Sequence, residues 1–271
     1  QNIKNMEAFM MAHSVAVRYS DSGLGGQVVL LLHGYGEALD QWDHFAGLLG
    51  KSLRVVRLDL PGSGFSDWGS RSVIDIDFMA AVAADLLDKL SIDRATVVGH
   101  SMGGYVAVAM ADLFPSKVKH LVMMHSSPAG DTAEKIVHRE REIELIAGGK
   151  KELLSSVNPA RGFAPCNVDR CVEAIDELAE QIMLTEDSAM IATLRGMASR
   201  PDRSEFFAST TIPILMFFGR YDNYIPSEAA EGMIAKFPRA QYAWLEHSGH
   251  SSFIEEPPRV AQILMDFISK N

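Results

Sequence analysis

Between the apolar run Ala95-Thr96-Val97-Val98 and the small-residue stretch Gly104-Tyr105-Val106-Ala107-Val108-Ala109-Met110-Ala111 stand five residues, Gly99-His100-Ser101-Met102-Gly103. They require a strand to become a helix within a single sharp turn. The central residue of such a turn is strained, and side chains two positions to either side would collide. Glycine is therefore needed at 99 and 103, and Ser101 is thrust outward. Its Oγ stands at the carboxyl end of the strand, where the first N–H groups of the following helix point outward unpaired. Positive potential falls where a tetrahedral intermediate would gather negative charge.

Composition limits what can surround that turn. The chain of 271 residues is 47% hydrophobic and 22% charged, an ordinary balance for a soluble globular protein with a sizeable core. Its 25 Lys+Arg against 35 Asp+Glu give a net charge of −10, which repels nucleic acid and anionic membranes. Neither is expected as a partner; a small-molecule substrate is, and oligomeric state stays open. Cys166 and Cys171 have neither metal-ligand spacing nor a nucleophile setting, so reduced structural thiols are expected. No apolar run reaches the ~18 residues of a membrane span, and Gln1-Asn2-Ile3-Lys4 has no secretory h-region. A cytoplasmic location is the expectation, with a removed leader left open because the first residue is not Met.

Along the chain, Phe9 to Ala12 and Val15 to Tyr19 alternate as an antiparallel hairpin would, followed by a turn at Asp21-Ser22-Gly23-Leu24-Gly25-Gly26. Val28 to Leu32 is continuously apolar, as in a strand buried on both faces, and ends in His33-Gly34-Tyr35-Gly36. A helix over Asp40 to Leu49, a strand over Arg54 to Asp59, a Gly62/Gly64 loop and a helix over Ile76 to Leu90 precede the turn at Ser101. The glycine loop has neither a Walker pattern nor a helix directly behind a G-x-G-x-x-G, so it is no phosphate cradle. Val118 to Met124 is another buried strand. Strands alternating with helices predict a parallel sheet with ligands beyond its carboxyl edge.

From Pro128 to Thr210 the strand pattern stops, and Asp131 to Ala147, Val168 to Leu184 and Glu186 to Ser199 have helical periodicity. This predicts a helical cap over 128–210, inserted into a core of 1–127 and 211–271. Sheet resumes at Ile212 to Phe218, and Gly219-Arg220-Tyr221-Asp222-Asn223-Tyr224-Ile225-Pro226 follows. A helix to about Lys236, a strand over Gln241 to Leu245, a loop over Glu246 to Phe253 and a helix from Pro257 complete the chain.

Taken together, the motifs His33-Gly34, Gly62/Gly64, Gly99-His100-Ser101-Met102-Gly103, Gly219…Asp222…Pro226 and Gly249-His250, each behind its own strand, resemble an α/β-hydrolase-fold serine hydrolase of the capped, esterase-like branch. The resemblance covers nearly the whole chain and shares the family order of Ser before Asp before His. It implies an α/β fold with a mostly parallel, doubly wound sheet, no cofactor, and a triad of Ser101, Asp222 and His250. A serine hydroxyl is a poor nucleophile at neutral pH, so a histidine must take its proton and an acid must hold the ring's tautomer. Asp222 in its turn and His250 beside Gly249 fit the family, His250 better than His247, and Asp67 in the loop after another strand is expected to have a supporting role. The resemblance also implies an oxyanion hole from the backbone N–H groups of Met102 and Tyr35. His33 then orders its loop, and His100 packs the turn.

The expected pocket comprises His125, Phe163, Met183, Met190, Tyr224 and Phe253. Met183, Met190 and Met197 recur at spacing seven, and flexible thioethers either pack the cap or line an adaptable apolar pocket. Arg161 or Arg195 could hold a substrate carboxylate. Metal catalysis is disfavoured, because His247 and His250 have no H-E-x-x-H pattern. Relatives with an Asp nucleophile, the dehalogenases and epoxide hydrolases, differ at Ser101, and there is no Tyr between Pro128 and Thr210. Cleavage of a carboxylic ester of a small to medium, partly apolar substrate through an acyl-enzyme is the main expectation. Three alternatives stay open: a carbon–carbon hydrolase of the meta-cleavage kind, whose relatives carry Asn where this chain has His100; a cofactor-free haloperoxidase-like perhydrolase; and a hydrolase-like ligand sensor.

Overall fold

The structure, a computed structural model, describes residues 6–23 and 26–271. The amino-terminal residues Gln1 to Lys4, and Leu24 and Gly25 of the expected turn, lie outside the described residues.

Strands β1 (Met6–Ala12) and β2 (Val15–Asp21) form the expected hairpin, turning through positive φ at His13 and Ser14. The remaining strands are β3 (Val28–Leu32), β4 (Arg54–Leu58), β5 (Ala95–His100), β6 (Val118–Met124), β7 (Ile214–Gly219) and β8 (Gln241–Leu245). They make one sheet in the order β1-β2-β4-β3-β5-β6-β7-β8, in which β2 pairs antiparallel with β4 and every later pairing is parallel. The sheet is thus α/β, mostly parallel and doubly wound, as expected.

Residue alternation in the central strands fills both faces. Leu30 and Leu32 of β3 pack with Val97 of β5 against α2 (Ile76–Lys89) and α3 (Met102–Leu113). Val29 and Leu31, one residue out of phase, pack with Val98 against α1 (Asp43–Leu49) and α11 (Pro257–Lys270). Each such buried aliphatic side chain contributes roughly 1.5–3 kcal/mol, which fixes the strand register, because a one-residue slip would exchange the two faces. Asp75 caps α2 by accepting the Phe78 N–H at 2.7 Å. The helix expected from Asp40 begins instead as a 3-10 turn over Leu39–Trp42 before α1.

Between β6 and β7 the described residues carry five α-helices, a 3-10 turn over Pro165–Asn167 and no strand, the helices being α4 (Ala133–Ala147), α5 (Lys151–Arg161), α6 (Val172–Leu184), α7 (Asp187–Ala198) and α8 (Ser204–Ser209). Three were expected; α5 and α8 were not. Helix α5 exposes Leu153 and Val157, so its apolar stripe does not mark a buried face, and α8 is too short for periodicity. Arg203 fastens this helical insertion to the core, reaching Asp112 of α3 at 3.0 Å and Asp77 of α2 at 2.8 Å. Helix α9 (Ser227–Lys236) follows β7, and the loop expected up to Phe253 contains a short helix, α10 (Ser252–Glu255).

Candidate active site

The sheet order brings together residues far apart in sequence. Tyr35, Ser101, His125, Asp222 and His250 follow β3, β5, β6, β7 and β8, which are consecutive across the sheet. All five lie at its carboxyl edge.

Ser101 has φ 50° and ψ −114°, the strained geometry expected of it. A Cβ on Gly99 would strike the Gly103 carbonyl, and one on Gly103 would strike the Leu32 carbonyl, so both glycines are sterically required. The Ser101 N–H donates to the Met124 carbonyl at 2.9 Å, which ties the turn to β6. Met102 is the first residue of α3, and neither its N–H nor that of Tyr35 donates to another group among the described residues.

Asp222 is buried and heavily solvated by donors. His250 Nδ1–H donates to its Oδ2 at 2.9 Å, and the N–H groups of Tyr224 and Ile225 donate to Oδ1 at 2.8 and 2.9 Å. His125 adds a fourth donor, its Nδ1–H reaching Oδ2 at 3.1 Å. Burial alone would raise the carboxyl pKa, but the two imidazoles and their hydrogen bonds hold it well below the usual carboxylate range. An ionised carboxylate only accepts, so the proton of each ring is on Nδ1. His125 Nε2 then accepts from Ser252 Oγ–H at 2.7 Å, and burial pulls this histidine down to about 4. It is neutral at physiological pH.

His100 is the opposite case. Its Nδ1 meets Glu37 Oε1 at 2.9 Å, and its Nε2 faces the His250 carbonyl oxygen at 2.8 Å. Both partners are acceptors, so both nitrogens carry protons. Burial disfavours that charge, yet Glu37 and the His250 carbonyl raise the pKa of His100, and the pair lowers that of Glu37 despite its burial. His33 Nδ1–H donates to the Gly34 carbonyl at 2.8 Å and its Nε2 accepts the Leu60 N–H at 2.9 Å, an ordering role for the loop.

A cavity of about 720 Å³ opens above these groups, bounded by Ser101, His250, Tyr35 and His125 below and by α4 to α7 of the insertion above. No hydrogen bond joins Ser101 to His250 among the described residues, although both line this cavity. Of the expected pocket, Met190, Tyr224 and His125 are on its wall, His125 while holding Asp222. Three are not. Phe163 is buried at 2% exposure among Cys171 and Leu178, Met183 is 45% exposed on the outside of α6, and Phe253 packs on Trp42 with ring centroids 4.1 Å apart. Thr185 and Glu186 break the helix between Met183 and Met190, so spacing seven did not place them on one face; Met190 and Met197, both on α7, do line the cavity.

Sequence reading missed Tyr105, Arg139 and Glu142 on the wall, and the contacts of Glu37 and Ser252. Arg139 is already paired with Asp131, whereas Arg161 lines the cavity with no carboxylate partner among the described residues, its guanidinium 5.3 Å from the Tyr224 ring. Arg195 points elsewhere, to the Ser72 carbonyl. His247 is exposed and Asp67 closes a local turn on the Trp68 and Gly69 N–H groups; neither lines the cavity. Cys166 and Cys171 are unbridged. His125, Asp222 and His250 are the one described group whose possible metal-ligating atoms lie within 4.8 Å of one another, and here both imidazoles spend their inner nitrogen on the carboxylate. No described helix is long and apolar enough to cross a membrane.

Comparison with known proteins agrees with this architecture. A family model of the α/β hydrolase fold matches residues 27–141. The 2-hydroxy-6-oxononadienedioate/2-hydroxy-6-oxononatrienedioate hydrolase of Paraburkholderia phymatum is 28% identical over 267 residues, covering 94% of this chain and 91% of its own. Its namesake from Burkholderia vietnamiensis is 27% identical over 266 residues, with 94% and 91% covered. Among solved structures, a thermophilic esterase from Thermogutta terrifontis superposes with a TM-score of 0.90 at 25% identity, covering 98% of each chain. An enol-lactonase from Burkholderia xenovorans LB400 shares the fold, with a TM-score of 0.87 at 19% identity and coverage of 97% of this chain and 100% of its own.

Proposed function

We propose that this α/β-hydrolase-fold hydrolase cleaves carboxylic esters of small to medium, partly apolar substrates through an acyl-enzyme on Ser101. The observation that carries the reading is the Asp222–His250 pair at 2.9 Å, which opens on the same cavity as the strained Ser101. In this mechanism His250 Nε2 takes the Ser101 Oγ proton as the oxygen attacks the ester carbonyl, then delivers it to the leaving alcohol. Asp222 keeps the ring's proton on Nδ1 and steadies the imidazolium. The N–H groups of Met102 and Tyr35 receive the developing oxyanion. Water then repeats the sequence on the acyl-enzyme. The helical insertion caps the cavity, and Met190, Met197 and Ile182 give its acyl side an adaptable apolar wall.

Carbon–carbon cleavage by the same triad is the second reading. On sequence similarity it stands ahead, since the two curated relatives above carry the name of a dienedioate hydrolase, and the unpaired Arg161 suits a substrate carboxylate. On structural similarity the ester reading stands ahead, through the esterase from Thermogutta terrifontis. The residue before the nucleophile also favours the ester: His100 is locked between Glu37 and the His250 carbonyl and does not line the cavity. A panel of aryl esters of graded acyl length, run beside a 2-hydroxy-6-oxodienoate followed by loss of its chromophore, decides between them. The expected result is repeated turnover on short to medium esters. A kcat/KM for the dienoate exceeding that of the best ester would replace this reading with the second.

A further inference from the structure

We propose that Glu37 and His100 form a positioning pin that holds the His250 main chain and the loop after β3 in one register with the Ser101 turn. The inference rests on the triad reading above. Three separate segments meet at this pair. His100 is the last residue of β5, next to Ser101; its Nε2–H donates to the His250 carbonyl at 2.8 Å; and its Nδ1–H donates to Glu37 at 2.9 Å. Glu37 in turn accepts the Gly34 N–H on Oε2 at 2.6 Å, one residue before Tyr35. Gly34 is close enough that a Cβ there would stand 3.0 Å from the Glu37 carboxyl.

Elsewhere the histidine loop is tied to the turn after β7 by the Tyr221 N–H on the Ser248 carbonyl at 3.0 Å. Asp222 holds the His250 ring, and the His250 N–H donates to Gly162 of the insertion at 2.6 Å; the carbonyl bond to His100 ties the His250 main chain to β5. The His100 ring itself is walled by Phe253, at 4.9 Å between centroids, and by Trp42 at 6.4 Å. It is absent from the cavity lining, so it acts on the reaction only through the groups it holds. The pair carries opposite charges, and the His100 and His250 rings are 5.0 Å apart, so two roles are conceivable: a charge effect on His250, or geometry. Geometry is the one proposed, because every hydrogen bond of the pair ends on a segment that carries a reacting group.

Four variants separate these roles. In Glu37→Gln the amide oxygen can still accept the Gly34 N–H while the amide nitrogen donates to a neutral His100, whose Nε2–H remains on His250; the links survive without charge. Glu37→Ala breaks them. In His100→Gln the amide nitrogen reaches the position of Nε2, whereas in His100→Asn it stops near Nδ1 and the His250 link is lost. The readout is the rate of Ser101 modification by a fluorophosphonate, together with kcat and KM on an aryl ester.

Displacement of a catalytic group by about 1 Å can cost on the order of 10²-fold, so Glu37→Ala and His100→Asn are expected to lose about that factor in labelling rate and kcat, with KM changed by less than about 3-fold. Glu37→Gln and His100→Gln should each stay within about 10-fold of wild type, with an unshifted pH–rate profile. Wild-type rates in both Glu37→Ala and His100→Asn would overturn the proposal. So would a Glu37→Gln as slow as Glu37→Ala with a displaced pH profile, since charge would then be the cause. If the alanine variant does not fold, the ratio of His100→Gln to His100→Asn still decides. Because labelling does not depend on the natural substrate, an unlabelled wild type would overturn the triad reading, whereas equal labelling of wild type and variants would overturn only the pin.

Discussion

The floor and the roof of the cavity are built by different means. The floor is main chain at strand ends: Ser101 bonded to Met124, His125 to the Phe217 carbonyl at 3.1 Å, and Tyr221 to the Ser248 carbonyl at 3.0 Å. The roof is side chains from α4 to α7, fastened to the core through Arg203 and held together at its base by Asp131 with Arg139 and Arg200. A ladder of backbone hydrogen bonds fixes positions to fractions of an ångström, as a reaction requires, whereas methionines and long polar side chains yield to the shape of a ligand. Under the proposed function, chemistry belongs to the floor and selectivity to the roof. The two meet where the stretch after α5 touches the histidine loop: Gly162 accepts the His250 N–H, and Glu255 accepts the N–H groups of both Ala164 and Gly249 at 2.8 Å.

The largest effect expected from breaking the floor is that of Asp222→Asn. The amide offers an N–H to the ring where a carboxylate accepted one, which favours the wrong tautomer and removes the charge that steadies the imidazolium. Steady-state kinetics should show kcat reduced by up to ~10⁴-fold with KM little changed. Asp67→Asn, in an exposed turn outside the cavity, should stay within about 3-fold. The reverse pattern would put the acid in the wrong loop.

A second floor effect appears in stability against pH. The folded pKa of His125, about 4, lies below its unfolded value of 6.5, so the unfolded state binds the proton first and stability falls as pH drops from 6.5 toward 4. The full difference corresponds to roughly 3 kcal/mol. Denaturant titrations across this range should show that decline in the wild type and a smaller one in His125→Gln, in which His120, also lowered by burial, still contributes. An equal slope in both proteins would mean that His125 is not buried as a neutral ring.

The roof should answer in selectivity. Met190→Ala enlarges the apolar wall, and the expected outcome is a shift in kcat/KM toward longer acyl chains by about 10-fold, with the rate on the best wild-type ester changed less. An unaltered acyl profile would take α7 out of the pocket's function.

How far the sequence foretold these regions follows the same division. The strands and the Ser101 turn were legible because burial on both faces demands unbroken apolar runs, and steric exclusion demands Gly99 and Gly103. In the insertion the same patterns misled. Seven-residue spacing between Met183 and Met190 runs across the expected break between α6 and α7, where it carries no shared face. Helix α5 escaped notice because its Leu153 and Val157 face solvent and Pro159 stands in its last turns. The contact of His125 with Asp222 could not be read without the strand order, which seats β6 between β5 and β7. Glu37 and His100, 63 residues apart, meet for the same reason.

Under the proposed function, Ser101 is the group that attacks the substrate carbonyl. Incubation with a fluorophosphonate followed by peptide mapping tests it most directly, with Ser101→Ala as the companion protein. The expected result is a single stoichiometric adduct on Ser101, loss of ester turnover in parallel with labelling, and an unlabelled, folded, inactive Ser101→Ala. An adduct on another residue, or an active Ser101→Ala, would contradict it.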